Sequence, residues 1–141
     1  MQNDFQSFYR YIEEVRERKF RLHSFDCLTF SNEGFKKIYG KGWAEDYLDV
    51  IKSGSRYNGL KAILKYTDTA NGLEALDTIM DRVGTFPQKG ALVAAQTKDN
   101  RLFDFALGIS DGRYSIFLNK PQGLIFLETH LCQGAWVWPK Q

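Results

Sequence analysis

The feature that most constrains the fold is a change of sequence pattern at residues 86–90, "FPQKG". Beyond it, short apolar or aromatic runs alternate with segments rich in turn-forming residues. The runs are "ALVAAQ", "LFDFALGIS", "YSIFLN", "GLIFLE" and "AWVWP", and the segments between them are "KDNR", "DGR", "KPQG" and "HLCQG". Runs of this length between turn residues are typical of β-strands. Residues 86–141 are therefore predicted to be mainly strands, in an antiparallel meander of about five.

The segment before residue 86 has the periodicity of helices instead. Apolar side chains recur near the start at spacings of three and four, at Phe5, Phe8, Tyr9, Ile12 and Val15. This spacing predicts an amphipathic first helix. "NGLKAILKY" and "GLEALDTIM" favour further helices, and "GWAEDYLDVIKSGSRY" favours a short helix and a turn. Residues 1–85 are therefore predicted to be mainly helical.

A second helix is predicted to begin beside Cys27. Ser24 or Asp26 can accept a hydrogen bond from a free backbone N–H at its start, and Gly40 and Gly42 can end it. One stripe along this helix is mostly small and would let another element approach the backbone closely: Cys27, Ser31, Gly34 and Ile38.

The chain is long enough for one hydrophobic core. Of its 141 residues, 43% are hydrophobic and 15% are aromatic, which suits a packed interior. No repeat or low-complexity linker divides the sequence. Helices and strands are therefore expected to form a single α+β domain over residues 1–141, with the N-terminal helices packed on the sheet.

Charge and cysteine content narrow the classes of partner and cofactor. The formal net charge is +2 and the basic residues are scattered, so nucleic acid is not an expected partner. No segment is typical of a membrane anchor or signal peptide, which favours synthesis in the cytoplasm. The cysteines and histidines show no metal-ligand spacing, so no metal or other cofactor is expected. A disulfide between Cys27 and Cys132 stays open, although a cytosolic setting favours reduced thiols.

A cysteine that opens a helix, then Pro and Gly before a strand, then a strand ending near Asp-Gly-Arg, resembles the NlpC-type cell-wall peptidases of the papain-like superfamily. "FDCLTFSNEGF", "PQKGALVA", "ALGISDGRYSIF" and "GLIFLETHLCQGAWVW" more closely resemble a small family common in tailed-phage and prophage genomes. The resemblance covers roughly residues 20–138. It implies a papain-like fold, a gene near those for tail-tip proteins, a place in the virion, and partners among other tail-tip or hub proteins.

Whether Cys27 is a nucleophile depends on the groups around it. A helix N-terminus stabilises a thiolate, whereas the neighbouring charge of Asp26 opposes it. A cysteine amidase also needs a base, normally a histidine, within hydrogen-bond reach. By the resemblance, that histidine would open a strand at Ala106, or at Phe105 or Asp104 if the register shifts, and none of these residues is a histidine.

The chain offers two other histidines as a base. His130 would reach Cys27 only if the last turn folds over the helix start, and His23, four residues before Cys27, does not match the peptidase arrangement. The alternative is that Cys27 is a small residue in a buried helical turn and His130 a turn histidine bonded to backbone. Cys132 is expected to pack beneath Trp136.

Two C-terminal tryptophans are candidates for binding a partner. Alternation along a strand places Trp136 and Trp138 on one face and Val137 on the other. The segment "CQGAWVWPKQ" is expected to pair as a strand at the sheet edge and to place at least one of Trp136 and Trp138 against a partner protein. The other interpretation is that these rings fill the core.

Three functions follow as hypotheses. The first is a structural or assembly component of a phage tail tip with a degenerate cysteine-peptidase-like site, that is, a pseudoenzyme. The second is an active cysteine peptidase or amidase that cleaves peptidoglycan peptides during DNA entry, with Cys27 as nucleophile and His130 as base. The third is a small-molecule binding module that uses the vestigial cleft.

Overall fold

The computed structural model describes residues 3–21, 25–47, 64–65, 67–86, 88–96, 105–119 and 122–138. Three α-helices lie wholly within these ranges: α1 (Phe5–Val15), α2 (Cys27–Tyr39) and α3 (Gly72–Ile79). One antiparallel sheet follows, with strands β1 (Asp81–Val83), β2 (Lys89–Ala95), β3 (Ala106–Asp111), β4 (Tyr114–Leu118), β5 (Leu124–Glu128) and β6 (Gly134–Val137). The α+β class is confirmed.

The helices begin and end where side chains or glycine satisfy the backbone. The carboxylate of Asp4 accepts the Ser7 N–H at 2.9 Å before α1, and Asn71 accepts the Glu74 N–H at 3.0 Å before α3. Gly40, in the left-handed region with φ of 86°, ends α2 as predicted. Glu45–Tyr47 forms a 3₁₀ turn, whereas "NGLKAILKY" and the alternative cap Ser24 lie largely or wholly outside the described residues.

The sheet has six strands in the order β1-β6-β2-β3-β4-β5. The extra strand is β1, a stretch of three residues, Asp81, Arg82 and Val83, that pairs with β6. Two of its three side chains are charged, so it has no apolar run, and the prediction of about five strands missed it. Because β6 pairs with both β1 and β2, the last strand lies inside the sheet and the predicted edge position is wrong.

The helices cover one face of the sheet, called here the helix face. It is formed by the buried side chains Leu92, Ala94, Leu107, Ile109, Ile116 and Trp136, which pack with the apolar sides of α1, α2 and α3. The close approach predicted from the small stripe occurs at Gly34, where an added Cβ would clash with the Ile109 side chain. Therefore α2 packs directly on β3.

The opposite face, called here the concave face, is also buried, although no helix of the described residues packs on it. Its buried side chains are mostly small: Ala91, Val93, Ala95, Phe117, Cys132 and Ala135. The predicted meeting of Cys132 with Trp136 is wrong, because the two side chains lie on opposite faces. Small side chains leave room for the strands to curl toward each other, so this face can close by curvature.

The connection from β5 to β6 requires such curvature. It comprises residues 129–133, begins with a 3₁₀ turn at Thr129–Leu131, and joins strands four places apart in the sheet. In a flat sheet these strands would be about 19 Å apart. With about 2 Å of rise for each 3₁₀ residue and about 3.4 Å for each extended residue, the chain from the end of β5 to the start of β6 reaches only about 16 Å. The sheet therefore bends around the concave face, where the Thr129 and Ser115 hydroxyls meet at 2.8 Å.

Candidate functional site around Cys27

The start of α2 is fixed by a reciprocal cap. The Asp26 carboxylate accepts the Thr29 N–H at 2.9 Å, and the Thr29 hydroxyl accepts the Asp26 N–H at 2.8 Å. Asp26 is buried. Of the two predicted caps, the structure thus assigns the role to Asp26, whose carboxylate is engaged in holding the first turn of the helix.

Cys27 is the first residue of α2, as predicted, and is a half-buried cysteine outside any disulfide, at the margin of the helix-face core. The far end of α2 is placed by Tyr39, whose hydroxyl donates to the Gly90 carbonyl at 2.8 Å near the start of β2. The helix start therefore lies toward the other end of β2, where β2 ends at Ala95 and β3 begins at Ala106. Cys27 thus lies toward the end of the sheet at which β3 begins.

The start of β3 carries no imidazole among the described residues. Ala106 is the first residue of the strand and pairs with Ala95. Phe105 precedes it and packs against the same core cluster as Cys27. Asp104, the third position considered for a base, lies outside the described residues. The place that the peptidase arrangement assigns to histidine is thus occupied by apolar side chains at Phe105 and Ala106.

His130 lies at the opposite end of β4 from the start of α2. It follows Thr129, whose N–H donates to the Arg113 carbonyl at 2.8 Å beside the turn between β3 and β4. At the other end of β5, Gln122 forms an isolated bridge with Lys19, and the following bridge between Arg21 and Phe25 leads into α2. Since β4 spans about 13 Å, His130 and Cys27 are not brought together.

The surroundings of His130 are those of a surface histidine. Its side chain is 62% exposed, and its Nε2 lies 3.9 Å from the Glu128 carboxylate. His23, the other candidate base, lies outside the described residues.

The second cysteine, Cys132, is a buried free thiol on the concave face. Burial raises the pKa of this thiol, although a hydrogen bond with Ser115 opposes the rise. A raised pKa disfavours the thiolate, so Cys132 has the character of a packing residue and not of a nucleophile.

The two C-terminal tryptophans, Trp136 and Trp138, differ in how far they are buried. Trp136 is fully buried, and its indole N–H donates to the Asp77 carboxylate at 2.8 Å. Trp138 is partly buried, with its ring centroid 5.2 Å from that of Phe35 in an edge-to-face contact. Trp136 is thus turned to the helices within the sheet, and the expectation that at least one of the two rings contacts a partner stays a prediction that depends on Trp138.

Comparison with known proteins places the chain in a family. Residues 3–138 match the family model described as a domain of unknown function, DUF6950. The chain belongs to the DUF6950 family. No curated protein and no solved structure matches it.

No helix in the described part of the chain is long and apolar enough to cross a membrane. Within the same ranges, no three His, Cys, Asp or Glu side chains form a group that would hold a metal ion.

A shallow groove of about 590 Å³ lies along β1 and the end of α3. Among the residues lining it are Asp77, Met80, Arg82 and Val137. The groove adjoins the edge of the sheet formed by β1, whereas Cys27 lies near β3 and β4. It is therefore not a cleft at the cysteine.

Sequence reasoning missed an exposed apolar edge on β5. Ile125, Phe126 and Leu127 are consecutive exposed residues, and Tyr114 and Leu131 beside them are exposed too. The signal in the sequence was the unbroken apolar run in "GLIFLE", which does not alternate as a strand with one wet face should. The run alone could not show which strand lies at the edge.

Proposed function

We propose that this protein is a structural or assembly component of a bacteriophage tail tip, built on a papain-like, NlpC-type domain whose cysteine site is degenerate. The observation that carries the proposal is the pair Phe105 and Ala106 at the start of β3, at the end of the sheet where Cys27 would need a base. In the NlpC-type arrangement the residue at the strand start is the base that activates the thiol for acyl transfer, and neither phenylalanine nor alanine can accept a proton.

The papain-like assignment is supported by the packing of the cysteine helix. A helix that begins at Cys27 lies on the central strand β3 of an antiparallel sheet, with its first turn toward the start of that strand. This is the placement that the resemblance to NlpC-type peptidases implies. Partners would be other tail-tip or hub proteins, and the location would be the virion.

The degenerate site is tested by genetics in a phage or prophage that encodes the protein. Deleting the gene should abolish normal tails, whereas Cys27→Ser should leave tail assembly and plaque counts close to those of wild type. Cys132→Ala is the matched control for loss of a thiol elsewhere. Particles of the Cys27→Ser phage must be shown to contain the protein.

Two results would overturn the proposal in different ways. Deletion that leaves tails intact and infective would remove the assembly role. Normal Cys27→Ser particles that contain the protein but do not infect would instead support the active peptidase or amidase acting on peptidoglycan.

Thiol reactivity supplies an independent test on purified protein. An activated thiolate reacts rapidly with iodoacetamide near neutral pH. We expect Cys27 to react no faster than a cysteine in the urea-unfolded protein, as followed by mass spectrometry of the Cys27 peptide. Faster reaction by about tenfold or more would indicate a depressed thiol pKa and a working nucleophile.

A further inference from the structure

The backbone of β5 is open along one side in the described part of the structure. Strand β5 ends the sheet order, and it pairs only with β4. The Thr129 N–H donates to the Arg113 carbonyl at 2.8 Å, and the Asn119 N–H donates to the Gly123 carbonyl at 2.9 Å. In an antiparallel ladder, hydrogen-bonded positions recur at every second residue. Odd-numbered residues of β5 therefore bond to β4.

The even-numbered residues of β5 consequently direct their N–H and C=O groups outward. These residues are Leu124, Phe126 and Glu128, and together they present three donors and three acceptors. The free edge ends beyond Leu124, because Lys19 bridges Gln122 and the Gln122 amide donates to the Glu17 carbonyl at 2.7 Å. An incoming strand thus has room for the length of β5 itself.

The side chains along this edge are apolar. Of the six large hydrophobic side chains that are exposed among the described residues, five lie on or beside β5: Tyr114, Ile125, Phe126, Leu127 and Leu131. Phe126, at 57% exposed, stands opposite Ile116 and so points to the helix-face side. Ile125 stands opposite Phe117 and points to the concave side. An open apolar edge of this kind is suited to pairing with another strand.

We infer that β5 pairs with β5 of a second copy of this chain, antiparallel and about a two-fold axis at Phe126. In that register Phe126 faces Phe126, and Leu124 faces Glu128. The three outward residues are symmetric about Phe126, so all six outward backbone groups find partners. Ile125 then faces Leu127 of the second copy, which makes the two apolar neighbours of Phe126 self-complementary.

Charge at the two ends of the edge favours the same arrangement. Lys19 occupies the edge position beside Gln122, two residues before Leu124. Since Leu124 faces Glu128 of the second copy, that carboxylate comes next to the Lys19 segment. The two-fold axis repeats this contact at the other end. The Glu128 carboxylate, which lies 3.4 Å from the Arg113 guanidinium of its own chain, thus also comes beside the basic residues around Lys19 of the second copy.

The contact is small, so the dimer should be weak and reversible. A single strand pair buries less area than the standard interface of about 1,600 Å². Association should therefore be measured by sedimentation equilibrium over a wide range of protein concentrations.

Phe126→Lys places two ammonium groups opposite each other and should weaken association by at least about tenfold. Phe86→Lys is the matched control, because Phe86 is 73% exposed but lies before β2, away from the edge.

The register is tested by crosslinking through a short bis-maleimide. In a Cys27→Ser background, Phe126→Cys should give a covalent dimer and Phe86→Cys should not. The inference is overturned if wild-type protein stays monomeric at every concentration. It is also overturned if Phe126→Lys is folded by circular dichroism and associates like wild type, or if both cysteine variants crosslink equally. These outcomes concern the dimer alone, and the proposed tail function is tested separately by gene deletion and Cys27→Ser.

Discussion

The indole N–H of Trp136 donates a hydrogen bond of 2.8 Å to the carboxylate of Asp77, joining β6 to α3. The same carboxylate accepts two bonds from the Arg82 guanidinium of β1, at 2.7 and 3.0 Å. The guanidinium carbon also lies 5.2 Å from the centre of the Trp136 ring. One carboxylate therefore links a helix and two strands, and it orients the indole within the core.

The first prediction concerns this link. Trp136→Phe keeps an aromatic ring but removes the donor, so it should lower the free energy of unfolding by about 2 kcal/mol. In the Asp77→Ala background the same change should cost about 1 kcal/mol less, because the bond is already gone. Urea unfolding of the two single variants and the double variant measures this coupling. Strictly additive costs would show that the hydrogen bond contributes nothing.

The second prediction concerns acid stability. Burial raises the pKa of the Asp77 carboxyl, but hydrogen bonds from Arg82 and Trp136 outweigh burial and hold the pKa below its usual value of 3.8. A depressed pKa contributes stability that is fully present above pH 3.8 and is lost as the pH falls through the folded-state value. Wild type should therefore lose more stability than Asp77→Asn between about pH 4 and pH 2. Parallel pH profiles of the urea midpoint would contradict this.

The third prediction concerns the concave face. The Thr129 hydroxyl donates to the Gly112 carbonyl at 2.6 Å and meets the Ser115 hydroxyl at 2.8 Å. Thr129→Val keeps the shape but leaves a buried hydroxyl at Ser115 without this partner, which should cost about 2 kcal/mol of unfolding free energy. Thr129→Ser keeps the hydroxyl and is the control, with a smaller expected loss. The idea fails if valine is tolerated better than serine in denaturant unfolding.

The fourth prediction compares two buried glycines. An added Cβ at Gly108 would clash with the Ile116 carbonyl of the neighbouring strand and would lie 2.7 Å from the Phe117 ring. At Gly34 the clash is with the end of the Ile109 side chain, which can rotate, and alanine also improves helix propensity. Gly108→Ala should therefore cost about 3 kcal/mol, well above the cost of Gly34→Ala. Thermal unfolding of the two variants tests this ranking, and equal melting temperatures would contradict it.

The helices were predictable because their signals are local. Asp26 and Gly40 mark the two ends of α2 through their own backbone chemistry, and the spacing from Phe5 to Val15 marks α1. The close packing at Gly34 was also predictable, since a stripe of small residues leaves room for a strand. These features need no knowledge of what lies elsewhere in the chain.

The order of the strands was not predictable, because it depends on pairings between distant segments. The apolar run around Trp136 predicts a strand equally well at an edge or in the interior of a sheet. The exposed run Ile125–Leu127 looks like core in sequence, and only the pairing of β5 shows that it lies at the edge. The same holds for the candidate site. The position of Cys27 at a helix start could be predicted from the local cap, whereas the position of His130 depends on how the strands pair.

The position of β6 between β1 and β2 has a consequence for how the chain folds. Strands β1 and β2 are close in sequence and would make an ordinary hairpin, yet in the native sheet β6 separates them. Until β6 arrives, a β1–β2 hairpin competes with the native pairing, and the shortness of β1 makes that competitor weak. The native sheet can therefore be completed only after residues 134–137 have been synthesised, and such non-local pairing slows folding. During translation, β1 and β2 therefore remain without the strand that lies between them in the native sheet until β6 has been synthesised.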